Sequence, residues 1–400
     1  MYDALTDGSA LQGLKVLDLG QMIAGPFCAA IMADMGADVI KVESPSGDLS
    51  RNSLPKVNGE STYYANFNRS KRGITLNLKS EQGKEALRKL ITTADVLIEN
   101  FRPGVMERLG FSYEECTKLN PSLIYASVSG FGQKGDYASL ACFDPIAQAM
   151  SGLMSVTGPI GGPNIRCGAS IGDIMAGQNA LIAILAALHY RSLTGEGQYI
   201  DIALTNACIV ALSSLNAVYN TTGRVPGPHG NSFDATAPGN TYRTKDGVIS
   251  ISAGQVREWP KFVKVLHHEE WLDDPRFSVV EKRVENRDLL DHLIEETTLQ
   301  YTTSDLIDQL RAVGLPCAPI NSIEDVANDP HFRDERKMFV DIDHPVIGKV
   351  RITNQGIKMT KTNPYVRSSS PVLSQDTDAV LSELGYSAEE IQDMRTNGAV

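Results

Sequence analysis

The chain has 400 residues, 42% hydrophobic and 21% charged, the proportions of a globular protein with a sizeable core, and its length favours two domains. Its 37 basic and 48 acidic residues leave a net charge of −11, which argues against nucleic-acid binding, where a basic face is needed. The six cysteines (Cys28, Cys116, Cys142, Cys167, Cys208 and Cys317) are scattered without a C-x-x-C pair, so they read as reduced thiols and not as a disulfide framework or a zinc site.

The first residues are acidic, with no basic stretch followed by an apolar one, so no signal peptide is read. The longest apolar run, 180–188, is too short and too rich in alanine for a membrane span. A cytoplasmic protein is expected.

Residues 14–19 form an apolar strand, followed by Gly20-Gln-Met-Ile-Ala-Gly25-Pro26 and an apolar helix over 27–35. Gly36-Ala-Asp-Val-Ile-Lys-Val-Glu43 gives a second strand after a glycine stop. Strand, glycine turn, helix and strand open a parallel α/β sheet. The turn lacks G-x-G-x-x-G, which counts against a nicotinamide or flavin enzyme. Its backbone N–H groups are still placed to meet a phosphate or a thioester oxygen.

Residues 66–79 read as a basic turn entering a strand, with Arg69, Lys71 and Arg72 either a solvated loop or a phosphate-binding cluster. Ser80 opens an amphipathic helix. Residues 94–101 form a strand that ends in Asn100-Phe101-Arg102-Pro103-Gly104, and the carboxyl ends of such strands are where open α/β sheets bind ligands. Another strand and loop cover 123–132.

Cys167-Gly-Ala-Ser-Ile-Gly-Asp173 then delivers a carboxylate to the start of a long apolar helix, 174–193, stopped at Thr194-Gly-Glu-Gly197. Asp173 suits a helix N-cap. The other reading is a nucleophile held at a helix N-terminus beside glycines, where substrate approaches closely. Residues 198–203 form a strand, with an apolar helix to about 218. A Gly/Pro-rich linker follows over 221–231, then a β-hairpin over 240–252 that turns at Lys245-Asp-Gly247. Ser387-Ala-Glu-Glu390 is a capping box for a terminal helix.

Four segments in order resemble the family III CoA-transferases, the formyl-CoA and carnitine CoA-transferase group. They are Val16-Leu-Asp-Leu-(x)4-Ala24-Gly-Pro26, residues 36–43, Ala94-Asp-Val-Leu-Ile-Glu-Asn-Phe-Arg-Pro-Gly-Val-Met-Glu-Arg-Leu-Gly-Phe111, and Asp144-Pro-Ile-Ala-Gln-Ala-Met-Ser-Gly152 leading to Gly172-Asp173. The resemblance spans about 14–384. It implies an α/β fold with a Rossmann-like large domain (1–222) carrying the nucleophile, a smaller α+β domain (223–341) and a C-terminal segment (342–400) returning to the large one, in an interlocked homodimer.

The same resemblance implies CoA transfer to a small carboxylic or dicarboxylic acid, through Asp173 as nucleophile, with no metal or permanently bound cofactor. CoA contacts carry over to Ala24, to Leu76, Asn77, Leu78 and Lys79, to Asn100, Phe101 and Arg102, to Arg108, and to Phe143 and Asp144. Departures from the formyl-CoA transferase pattern mark the acyl pocket. Ile23 stands where that enzyme has a glutamine, with Gln21 two residues earlier; Ser44 and Ala141 replace an arginine and a lysine. A Gly-Asn-x-His-Pro segment of many relatives reads here Gly230-Asn231-Ser-Phe233-Asp234, so Gly230 and Asn231 join the pocket candidates.

The related α-methylacyl-CoA racemase needs a second base, which that family supplies as histidine in a Gly-His-Asp motif. Here the motif reads Cys142-Phe143-Asp144, and phenylalanine accepts no proton. A non-catalytic CoA-binding subunit of a heteromeric transferase would have no use for Asp173.

Overall fold

A computed structural model of the chain describes residues 8–233 and 235–400. The acidic first residues and Asp234, both used in the sequence reading, lie outside them. The chain divides into two compact units, 1–153 with 167–216 and 330–400, and 154–166 with 217–329.

The first unit is built on six parallel strands: β1 (Lys15–Asp18), β2 (Asp38–Glu43), β5 (Arg72–Thr75), β6 (Val96–Glu99), β7 (Ile124–Ser129) and β8 (Gln198–Ala203). A two-residue ribbon, β3 (Lys56–Val57) and β4 (Glu60–Ser61), interrupts the numbering. The sheet order is β5-β2-β1-β6-β7-β8. The chain therefore winds outward from β1 in one direction, then returns to β1's other side and winds outward again. The switch point lies between β1 and β6, and open α/β sheets bind ligands in the crevice above such a point.

The helices of this unit are α1 (Ala24–Asp34), α2 (Thr62–Phe67), α3 (Glu81–Thr93), α4 (Val105–Leu109), α5 (Tyr113–Leu119), α6 (Asp144–Met150), α7 (Ile171–Thr194) and α8 (Leu204–Ala211), with α9 (Ser213–Thr222) crossing into the second unit. Strand side chains alternate between the sheet's two faces. Val16, Val96, Ile98, Ile124 and Ala126 pack on one side with α1 and α7. Leu17, Leu97 and Tyr125 pack on the other with α3 and the C-terminal Ile391 and Met394. α7 is long and apolar enough to cross a membrane by length and composition. Its Ala176, Ala180, Leu181, Ile184 and Ala187 are buried in the sheet core.

Local signals act as expected at several ends. Ser80 caps α3 by accepting from Gly83 N–H, α7 ends on Gly195 in the left-handed conformation, and Ser387 with Glu390 forms a capping box. Elsewhere the structure corrects the reading. Residues 62–67, partly read as a basic turn, are helical, with Ser61 as N-cap. The helix after β8 breaks at Leu212 into α8 and α9.

The second unit packs Tyr242, Ile249, Ile251, Trp259, Phe262 and Leu306 into its own core. The expected hairpin forms as β9 (Gly239–Arg243) and β10 (Val248–Ser252), joined by β11 (Cys317–Pro319). The domain boundaries move: 222 becomes 216 and 341 becomes 329. Residues 154–166, read as large-domain sequence, belong to this unit, where Gly158 O accepts from Gly230 N–H at 2.9 Å.

Candidate active site

The loop after β1 and the loop after β6 meet across the switch point. Asn100 Oδ1 accepts from Gln21 N–H at 2.7 Å, and Asn100 Nδ2 donates to Gln21 O at 2.8 Å. Above this clasp opens a cavity of about 660 Å³, lined by Gln21, Ile23, Ala24, Asn100, Phe101 and Arg102, by Phe143 and Asp144 at the start of α6, and by Asp173. The tertiary fold thus brings together candidates that the sequence spreads over 150 positions.

Asp173 is the third residue of α7, whose N-cap is Ser170. Asp173 is therefore a first-turn residue and not the cap considered from the sequence. The turn is held by Asp144, whose Oδ1 accepts from Gly172 N–H at 2.8 Å and whose Oδ2 accepts from Gln148 Nε2 at 2.7 Å. Asp144 lines the cavity, but its carboxylate is spent on this brace. A Cβ at residue 172 would lie 3.0 Å from Asp144 Oδ1 and 3.1 Å from Cys208 Sγ, so the approach needs glycine. One turn after Asp173, at its i+4 position, a Cβ at Gly177 would lie 2.7 Å from Ala24 O. The bare face of α7 thereby lets the amino end of α1 close against it.

No hydrogen bond from a described residue reaches the Asp173 carboxylate. Burial, and then the negative charge of Asp144, push its carboxyl up to about 7. A carboxylate that is desolvated and unbonded is more basic and more nucleophilic than a solvated one. Cys142, also on the cavity wall, is pushed up to about 11 by burial and then by Asp173, which leaves it a thiol at neutral pH and a poor nucleophile.

Two further wall residues carry no signal in the sequence. Tyr63 of α2 is held edge-on by Phe67, with ring centroids 5.3 Å apart. Burial and the charges of Asp173, Asp48 and Asp144 push its phenol up to about 12, so it stays a hydrogen-bond donor. Ser129, at the end of β7, has a buried hydroxyl with no partner among the described residues. Arg102 is the one Lys or Arg among the described wall residues.

A second cavity, about 170 Å³, is lined by Leu76, Asn77, Leu78 and Lys79 and shares Gln21 and Phe101 with the first. Leu76 is buried, and Asn77 Nδ2 donates to Gly398 O at 2.9 Å. Arg108 is exposed on α4 and lines neither cavity. Gly230 and Asn231 belong to the second unit, where Asn231 Nδ2 donates to Thr241 Oγ1 at 2.9 Å.

The basic cluster is committed elsewhere, which corrects its reading as a phosphate site or a solvated loop. Arg69 pairs with Asp34 at 2.8 Å. Arg72 pairs with Asp38 and Glu383, both at 2.7 Å. Lys71 is buried and bonded to Asp18 Oδ2 at 2.8 Å and to Pro26 O at 2.9 Å. Burial pulls the Lys71 ammonium down to about 8 against the attraction of Asp18.

A family model, CoA-transferase family III, matches residues 11–377. The succinyl-CoA:mesaconate CoA-transferase of Haloarcula hispanica is 35% identical, over 94% of this chain and 96% of that protein. The succinate–glutarate CoA-transferase of Agrobacterium fabrum is 37% identical, over 94% and 95%. Among solved structures, a CAIB/BAIF family protein from Brucella suis superposes with a TM-score of 0.85 at 37% identity, over 94% of this chain and 99% of that one.

Proposed function

The chain belongs to CoA-transferase family III, and we propose that it moves CoA from succinyl-CoA or another short acyl-CoA to a small dicarboxylic acid, with Asp173 as nucleophile. The observation that carries this reading is an unbonded, desolvated carboxylate in a roomy cavity at the sheet's switch point.

The Asp173 carboxylate attacks the thioester carbonyl, the C–S bond breaks, and CoA thiolate leaves a mixed anhydride behind. The thiolate then attacks the Asp173 carbonyl, expelling the donor acid as its carboxylate and leaving an aspartyl-CoA thioester. An acceptor carboxylate attacks that thioester and displaces the thiolate. Finally the thiolate attacks the acceptor's acyl carbon, which restores the Asp173 carboxylate and releases the new acyl-CoA. Each step is covalent catalysis at one carboxylate. The tetrahedral oxyanions need donors: the Tyr63 phenol is one, and the amino end of α1, which no side chain caps, offers backbone N–H groups beside it.

The second cavity, continuous in its walls with the first through Gln21 and Phe101, suits the nucleotide end of CoA, with the thioester end over Asp173. Arg102 suits the far carboxylate of a dicarboxylate, and relatives named for succinate, mesaconate and glutarate agree with that size. A homodimer is part of the reading. Ile182 and Leu193 of α7 and Val210 of α8 stand 65%, 73% and 63% exposed, apolar side chains that a second copy would cover.

A racemase is the weaker reading, since no histidine is among the described residues of the cavity wall. Intact-protein mass after incubation with succinyl-CoA in deuterated buffer, without acceptor, separates the two. An acyl or CoA adduct on Asp173, with no deuterium in the recovered ester, supports transfer. An unmodified protein with deuterium at the α-carbon overturns it.

A further inference from the structure

Three consecutive residues of the loop after β1 are each held by a side chain from elsewhere. Lys41 of β2 donates to Gly20 O, Asn100 clasps Gln21, and Asp48 Oδ1 accepts from Met22 N–H at 3.1 Å. The other Asp48 oxygen is paired with Lys41 Nζ at 2.9 Å, and both side chains are fully buried. Ser50 completes the carboxylate's shell through its N–H at 2.8 Å and its hydroxyl at 2.7 Å.

Met22 has φ +64°, a left-handed conformation that a side chain disfavours. Such strain persists only where surrounding structure enforces it, and it gathers at functional sites. A buried ion pair by itself adds little net stability over apolar packing, so what this one fixes matters more. Immediately after Met22 the chain enters α1 through Ile23 and Ala24, which share the cavity with Asp173.

We infer that Asp48 is a positioning residue for CoA transfer: by fixing Met22 in the left-handed conformation it aims the amino end of α1 at the Asp173 cavity. The inference rests on the transfer reading above. Asp48 borders the second cavity but is not among the described wall residues of the Asp173 cavity, so it acts on the reacting end of the substrate through Met22.

The test compares steady-state kinetics of full-length Asp48→Asn, Met22→Gly, their double variant and Met22→Val, with succinyl-CoA as donor and a dicarboxylic acid as acceptor. The Asn amide NH2 must face either the Lys41 ammonium or the Met22 N–H, donor against donor, so Asp48→Asn breaks the clasp and is expected to lose at least tenfold in kcat, with KM for succinyl-CoA changed less than threefold. In the double variant Met22→Gly is expected to recover most of that loss, because glycine takes positive φ without strain. A general structural role for Asp48 would not be repaired at residue 22. Met22→Val keeps Asp48 intact and should also lose at least tenfold in kcat, so the idea stays testable even where Asp48→Asn does not fold. Wild-type kcat in Asp48→Asn or in Met22→Val, or a double variant no better than Asp48→Asn, overturns the inference. Absence of transfer in the wild-type enzyme would instead sink the parent reading.

Discussion

The Gly172 N–H donates to Asp144 Oδ1 at 2.8 Å, and this bond couples the helix start that carries Asp173 to the charge that tunes it. Asp144 shapes the turn and, as an anion beside Asp173, adds to the upward push that burial begins. One neighbour therefore braces the turn of the candidate nucleophile and adds to its basicity.

The pH dependence follows. The ionised form of Asp173 is the nucleophile, so kcat/KM should rise with pH and reach half its plateau near 7. Asp144→Asn keeps an oxygen for Gly172 but removes the charge, and should move that midpoint down by a fraction of a unit, since burial remains. A pH–rate profile with an unmoved midpoint would refute the electrostatic role.

Asp173→Asn should abolish turnover and raise stability at high pH. The folded-state value, about 7, lies above the ordinary 3.8, so the stability linked to this group is fully present below about pH 4 and is lost as pH rises through 7. The variant should therefore exceed the wild type by on the order of 2 kcal/mol at pH 8, short of the roughly 4 kcal/mol for a fully enclosed group. Denaturant melts at pH 4 and pH 8 measure it; an equal gap at both would contradict the linkage. Retained turnover would remove the nucleophile assignment.

Arg102→Gln should raise KM for a dicarboxylate acceptor about tenfold and leave a monocarboxylate acceptor unchanged, on the scale of one charge-assisted hydrogen bond. Equal losses with both acceptors, together with a raised KM for the acyl-CoA, would assign Arg102 to a CoA phosphate instead.

Gly172→Ala and Gly195→Ala separate packing from backbone freedom. At 172 the new methyl meets Asp144 and Cys208, and overpacking of this kind costs about 1–3 kcal/mol, with turnover falling as Asp173 shifts. At 195, φ is +79° with nothing within 4 Å, so the cost should be about 1 kcal/mol with kcat unchanged. Thermal melts and kinetics on both variants check the contrast.

Phe143→His should not create a racemase. It supplies a base but not a pocket built for an enolate, and α-proton exchange in deuterated buffer would show otherwise.

Much of this was legible in order along the chain. Periodicity gave the six strands of the sheet, glycine stops ended α7, and serines at 80 and 387 announced helix starts, because each signal acts within a few residues. Asp173 stood out through its place between a glycine turn and an apolar helix. Its nucleophilic reading came from family likeness, since its own neighbourhood suits structural and chemical roles alike. Tyr63 was invisible, for nothing within α2 distinguishes it from the adjacent Tyr64, whose hydroxyl is buried against Glu43 at 2.9 Å.

What the sequence determined by itself were elements, caps and the polar turns at strand ends, all products of local backbone and side-chain preference. Only the tertiary structure decided how charges pair, because those partners are far apart in the chain. Lys71 finds Asp18 and Arg72 finds Glu383, which turns a basic surface motif into internal bracing. The same holds for Met22, whose N–H, in a left-handed residue, donates to Asp48, 26 positions away. It holds too for Asp173, whose proton affinity depends on burial and on Asp144. Local preference falls off within a turn of chain, whereas desolvation and Coulomb forces act through space.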